Sequence, residues 1–335
     1  MKIQAKAPCR VDLAGGTLDI WPLYLFHENA VTVNFAVDRY TSCEILTRDD
    51  AKIVLRSADQ KGEETFEDYE ALAAAKKYKL PLLAQIVRFF RPATGIELST
   101  DSEAPSGAGI SGSSSLLITT GSALNKLTGA NYNIEKIREI AQNVEAQIIH
   151  VPTGCQDYYP AMYGGVSAID LTAAGIKHNA LPLNPDDFNR RIVLAYSGKP
   201  RNSGINNWEV TKAHVDGDRG VFKNFERIAA IAHALRTALA KPDWDDTARL
   251  IREEWSHRRK NAPGITTELI DRLIASAKKA GSKAAKVCGA GGGGCVFFLV
   301  EPDSKEAVQQ AIAAEGAEIL DVKVAPQGVR VKVSR

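Results

Sequence analysis

Residues 105–115, PSGAGISGSSS, constrain this chain more than any other stretch. They lie between a short strand-like run, GIELS at 95–99, and an apolar pattern that predicts a helix over 113–127. Leu116, Leu117, Leu124 and Leu127 carry that pattern, and Gly129 is placed to cap the helix end. Glycines let a backbone turn tightly and approach a ligand closely. Amides at a helix start point outward, where the helix dipole favours an anion. Serine hydroxyls add hydrogen bonds or ligate a hard cation. The alternative is a flexible linker closed by a serine cap. Three serines running straight into an apolar helix speak for the anion cradle. The stretch is not a Walker loop, because no Gly-Lys-Ser/Thr appears.

A second glycine run, GAGGGG at 289–294, sits between KVC and CVFF. A dinucleotide-binding loop should open a helix and carry an acidic residue about 20 positions on. Here CVFFLV at 295–300 reads as a strand. The run is therefore read as a strand-to-strand turn that lets something pack close, with more glycine than a plain hairpin needs.

Composition bounds the rest. At about 150 residues per domain, a chain of 335 residues suggests two domains. Lys and Arg total 42 against 40 Asp and Glu, a net +2 that argues against a nucleic-acid binder. With 44% hydrophobic and 24% charged residues the chain is of ordinary globular type. No apolar run is long enough for a membrane span, and MKIQAK lacks the apolar core of a signal peptide. Five cysteines without a CxxC read as reduced thiols, so a cytoplasmic location is expected.

Along the chain, AVTVNFAVDR at 30–39 and the run 42–46 read as strands. A helix is expected over 71–90, with Leu72, Leu80, Leu83, Ile86 and Phe89 or Phe90 at helical spacing. A further helix over 134–149 places Ile134, Ile137, Ala141, Val144 and Ile148 on one face. The turn-like LNPDD at 183–187 divides a first unit, 1–185, from a second, 186–335. The second unit reads as a strand at 191–196, helices over 220–240, 245–258 and 265–280, and a strand–glycine loop–strand over 286–300. A helix over 304–315 and strands at 319–324 and 328–333 close it. This is an α+β pattern with its site expected in the cleft between halves.

Three further groups carry polar chemistry. Arg10 and Asp12 alternate with apolar residues in APCRVDLAGGTLD (7–19), which suits either a solvated edge strand or a strand aimed at a site. Glu145 follows Ala141 by four and precedes Ile148 by three, at the edge of that helix's buried face. Asp157 stands in TGCQDYY (153–159), a polar break that fits a turn as well as a site.

Taken together, these segments resemble the GHMP kinases. The APxRxxLxGG element, the PxGxGxxxSS loop and the GAGGGG loop occur in the family's order across nearly the whole chain. LAGGTLDIWP, FAVDRY, GCQDYYPAMYGG and APGI resemble the anomeric sugar kinases typified by D-glycero-D-manno-heptose 7-phosphate kinase. The resemblance implies a two-domain fold, with an N-terminal α/β domain like ribosomal protein S5 and a ferredoxin-like C-terminal domain. It implies ATP phosphate binding by Gly107, Ala108, Gly109, Ile110, Ser111, Gly112, Ser113, Ser114 and Ser115. It implies Mg²⁺ at Ser113 and Glu145, an acceptor-facing Asp157 and the basic Arg10 beside it. Asp19 matches a sugar-binding aspartate, and Gly16, Thr17, Gly154, Gln156, Gly291 and Gly292 fall around the same substrate.

The expected activity is transfer of the γ-phosphoryl of ATP to the anomeric hydroxyl of a sugar or sugar phosphate, with no nucleic acid or membrane as partner. The alternatives are a GHMP kinase for another small alcohol, such as galactose or mevalonate, and a catalytically silent binding protein of this fold. The chain departs from the branch's GGGTD, reading Gly15-Gly16-Thr17-Leu18-Asp19, and has Ser111-Gly112 where many members have Gly-Ser. A 7-phosphate would need a basic pocket, for which Lys199, Arg201 and Asn202 are candidates; the alternative for them is a plain surface loop.

Overall fold

The computed structural model describes residues 1–200, 203–241 and 243–334. The β-branched first third forms one sheet. It holds β1 (Lys2–Ala14), β2 (Val31–Thr47), β3 (Ile53–Ser57) and β4 (Gly62–Phe66). After α1 (Tyr69–Ala74) and α2 (Pro81–Phe90) comes β5 (Ile96–Ser102). Then follow α3 (Gly112–Thr128), α4 (Ile134–Ile149), α5 (Tyr159–Tyr163) and the hairpin β6 (Val166–Thr172) and β7 (Gly175–Ala180). β2 is long enough to pair with β1 on one side and with both β6 and β5 on the other. α2, α3 and α4 pack together, and α3 lies against β1 and β2, so the first core forms between helices and sheet.

Two expectations change here. The helix expected over 71–90 is two helices. Pro81 occupies the first turn of α2, and Leu80 before it is driven out of the helical region (φ −119°, ψ 70°), so no helix can run through. Conversely, the two strands expected at 30–39 and 42–46 are one. Asp38 and Arg39 bulge out of the pairing, which jumps from Cys9–Val37 to Pro8–Tyr40.

The second half runs α6 (Pro185–Arg191), β8 (Ile192–Tyr196), α7 (Ser203–Val215), α8 (Arg219–Ala240), α9 (Trp244–Arg258) and α10 (Glu268–Lys279). It continues with β9 (Ser282–Val287), β10 (Cys295–Val300), α11 (Lys305–Ala314) and β11 (Glu318–Leu320). Its antiparallel sheet has the order β11-β8-β10-β9, with α10 and α11 packed on it. That is the split-βαβ, ferredoxin-like arrangement. The last strand, β12 (Arg330–Ser334), leaves this sheet and pairs with β1 from Lys2 to Lys6 in the first one. The halves also share a core. Phe35 on β2 meets Phe188 on α6 at 5.0 Å and Phe297 on β10 at 5.8 Å between ring centroids.

A buried cluster of four charges crosses the same junction. Lys286 on β9 donates to Asp12 on β1 at 2.7 Å and pairs with Glu254 on α9 at 3.1 Å. Arg258, one helical turn after Glu254, lies 3.3 Å from both Glu254 and Asp12. All four are at most 5% exposed at the side chain, and the charges cancel. Burial pushes the Asp12 carboxyl up, but Lys286, Arg258 and Arg10 together hold it below the usual carboxylate range. Removing one member leaves an uncompensated buried charge. Lys286→Met is expected to lower unfolding stability by about 3–5 kcal/mol in chemical denaturation. A loss under about 1 kcal/mol, the scale of an exposed pair, would mean the cluster does not hold the halves together.

Candidate active site

β5 ends at Ser102 and α3 begins at Gly112; between them the glycine–serine loop forms one wall of a cleft of about 700 Å³. Gly107 (φ 67°) and Gly109 (φ 74°) adopt the left-handed turns that glycine permits. Ser111 does the same at φ 60° without that freedom, a strained position for a residue with a Cβ. Gly107 through Ser113 all line the cleft. The first-turn amides of α3, which helix geometry leaves without intrahelical acceptors, open there. Ser115 does not face the cleft: its hydroxyl donates to the Ala7 carbonyl at 3.2 Å and meets Thr41 at 2.8 Å, inside the core.

Glu145 sits on the inner face of α4, only 7% exposed. Ser113 donates to its Oε1 at 2.6 Å, and Ser114 to its Oε2 at 3.0 Å. The Tyr158 hydroxyl also donates to Oε2. Burial raises its pKa, and these hydroxyls pull it back only in part. Among the described residues no Lys, Arg or His pairs with it. A buried carboxylate with hydroxyl donors and no cation fits a divalent metal. No group of three or more His, Cys, Asp or Glu side chains able to hold a metal occurs among the described residues. Mg²⁺ is commonly held by one or two carboxylates plus phosphates, so Glu145 could contribute to such a site.

Arg10 is the pivot of the cleft floor. Its Nε donates to Asp157 Oδ1 at 2.9 Å, and its NH2 reaches the same oxygen. NH1 donates to the carbonyls of Gly109, at 3.3 Å, and of Cys288. Its own amide donates to Ile110 O at 2.9 Å. Burial works against the guanidinium charge, but Asp157 and Asp12 overcome it and hold Arg10 more firmly protonated than usual.

Asp19 lies beyond Asp157, 3% exposed. It accepts from the Gln156 amide at 2.8 Å and from Gln156 Nε2 at 3.5 Å. A Cβ at Gly154 would come within 2.0 Å of Asp19 Oδ2, so a larger residue there would displace the Asp19 carboxyl. Thr17, Asp19, Gly154, Gln156 and Asp157 all line the cleft.

Gly16 does not line it. A Cβ at Gly16 would meet Arg258 NH1 at 2.5 Å and Asp12 Oδ2 at 2.8 Å, so its role is close packing. Gly291 and Gly292 do not line it either; Gly289 and Ala290 do. Gly291 packs on Ile265, and Gly292 donates to the Ile265 carbonyl at 2.9 Å. The loop enters a strand, as read from CVFFLV, and it braces the first loop: Cys295 N donates to Ala108 O at 2.7 Å. Lys199 is exposed, and its carbonyl accepts from Gly294 N at 3.0 Å. Arg201 and Asn202 lie outside the described residues.

Sequence reading missed Arg258, whose NH2 donates to Gly289 O at 3.0 Å and to Thr17 Oγ1 at 3.5 Å. It also missed Tyr158, which donates to Glu145, and the cleft-lining Asn207, Asp59, Gln60 and Leu82. No local signal marked them: even Lys286 lies in SKAAKV beside an exposed lysine, Lys283, and nothing in the sequence separates the two.

Burial, followed by the neighbouring charge of Asp157, pushes Asp19 up to about 7. An acid raised in the folded state weakens folding as pH climbs from its unfolded value, about 3.9, to its folded one. Above that the penalty is constant. Asp19→Asn is therefore expected to raise the melting temperature more at pH 8 than at pH 5. Equal shifts at both pH values would contradict the raised carboxyl.

Among the described residues no helix is long and apolar enough to cross a membrane. Two models of one family match the chain: the GHMP kinases N-terminal domain over residues 72–165 and the GHMP kinases C-terminal domain over 221–318. D-glycero-alpha-D-manno-heptose 7-phosphate kinase of Campylobacter jejuni is 25% identical, over 98% of either chain. Mevalonate kinase of Thermococcus onnurineus is also 25% identical, but over 71% of this chain and 69% of its own. The structure of Lactococcus lactis galactokinase complexed with galactose superposes with a TM-score of 0.82 at 20% identity, covering 98% of this chain and 95% of that one. The fold and both matched domains agree: this chain belongs to the GHMP kinases and is a phosphotransferase with an alcohol group as acceptor.

Proposed function

We propose that the protein is an ATP- and Mg²⁺-dependent sugar kinase that phosphorylates the anomeric hydroxyl of a sugar or sugar phosphate. One observation carries this: a single cleft joins the anion-cradling loop, Glu145, the Arg10–Asp157 pair and a polar end around Asp19. The full-length similarity to a heptose phosphate kinase, against partial similarity to a mevalonate kinase, supports the sugar branch. Five buried cysteines without a CxxC suit a reducing cytoplasm.

In this reading the loop 107–113 and the N-terminus of α3 hold the ATP phosphates. Glu145 and Ser113 would hold Mg²⁺, which when bound supplies charge neutralisation across the phosphates. Asp157 faces the acceptor hydroxyl and takes or orients its proton. Arg10 fixes its direction through the hydrogen bond from Nε to Oδ1. Asp19 accepts hydrogen bonds from neighbouring sugar hydroxyls, so a single oxygen meets the γ-phosphate in line. Thr17, Gly154 and Gln156 close around the ring.

The test is ATP consumption with a panel of free and phosphorylated sugars and mevalonate. Turnover is expected with a sugar or sugar phosphate and not with mevalonate; the reverse result, or no turnover with any acceptor, would overturn the reading. Asp157→Asn should lower kcat by about a hundredfold or more, the scale of lost acid–base assistance, while nucleotide binding survives. An Asn variant with near wild-type kcat would remove Asp157 from the chemistry.

A further inference from the structure

We infer that Tyr158 is a positioning residue for Glu145, locking one carboxylate oxygen so that the other is presented to the metal. This rests on Glu145 being the metal-binding carboxylate.

The two oxygens of Glu145 have different partners. Oε1 accepts from Ser113, which lines the cleft. Oε2 accepts from Ser114 and Tyr158, which do not line it and are 2% and 0% exposed. One oxygen therefore faces the cleft and the other is tied into the protein. A glutamate's terminal torsion is broad and roughly two-fold, so the carboxylate does not fix its own orientation. Ser114 alone offers a single short donor. The tyrosine ring is rigid and wholly buried, and it directs its hydroxyl to the one oxygen that the cleft does not use.

Chain order adds a second consequence. Tyr158 directly follows Asp157, so one short segment carries both the acceptor-facing carboxylate and the clamp on the metal-binding one. Arg10 fixes the Asp157 end of that segment, and the Tyr158–Glu145 bond fixes the other to α4. The next residue provides a built-in contrast. Tyr159 is equally buried, but its hydroxyl donates to Glu135 at 3.1 Å, and neither residue lines the cleft. Burying a tyrosine in this segment thus does not require a contact with Glu145.

The test measures binding rather than turnover: Mn²⁺ titration of the intact protein, followed by electron paramagnetic resonance, with a non-hydrolysable ATP analogue present. Wild type is compared with Tyr158→Phe, Tyr159→Phe and Glu145→Gln. Hydrogen-bond partners of metal ligands typically contribute 10–100-fold in metal affinity, so Tyr158→Phe should weaken Mn²⁺ about tenfold or more, and Tyr159→Phe by less than about twofold. Wild-type affinity in Tyr158→Phe, with Glu145→Gln weakened, would overturn the role of Tyr158 and leave the metal assignment standing. Wild-type affinity in Glu145→Gln would overturn the assignment itself, and the role of Tyr158 with it. The rise in melting temperature on adding Mn²⁺, each variant being its own reference, reads the same effect if Tyr158→Phe melts low. A full rise in that variant would also overturn the proposal.

Discussion

The Arg10 guanidinium is the contact on which the site depends. It is 4% exposed at the side chain and reaches Asp157, the Gly109 carbonyl of one loop and the Cys288 carbonyl at the root of the other. An arginine buried this deeply is stable only if its donors are matched, and here they are matched by the groups that build the cleft. The same planar fork that satisfies its charge therefore sets the distance between the two glycine loops and aims Asp157. A lysine would supply the charge without the fork.

Behind Arg10, the cluster of Asp12, Glu254, Arg258 and Lys286 does for the two halves what Arg10 does for the loops. Its members come from β1, α9 and β9, and Arg258 also reaches Thr17 and Gly289 at the cleft edge. Hydrophobic contact, as between Phe35 and Phe297, holds the halves together without fixing their register. Directional charge pairs specify that register. Gly16 and Gly294 then matter for what they exclude: a Cβ at the first would strike Arg258, and at the second the Ala108 carbonyl at 2.6 Å.

What could be read from sequence follows the range of the interactions. The loop at 105–115, α3 and α4 obey local rules, and their positions emerged within a residue or two. The break at Pro81 was legible by the same rules, because proline bars a continuous helix; the apolar spacing across 71–90 masked it. The buried cluster was not legible. Arg258 and Lys286 lie 246 and 274 positions from Asp12, and Glu254–Arg258 alone resembles an ordinary exposed helix pair. The strand pattern near the chain end was visible, but its return to β1 depends on tertiary packing. Gly291 and Gly292 were expected at the substrate and instead pack against Ile265, because glycine marks close approach without naming the neighbour.

The proposed function stands or falls on whether the cleft aims one ring hydroxyl, the anomeric one, at the γ-phosphate. Phosphorus NMR of the purified product tests this most directly, since the position of the new phosphate shows in its proton coupling. The expected signal is a phosphate coupled to the single anomeric proton H1. Coupling to a terminal CH₂ group would show transfer to a primary alcohol and contradict it.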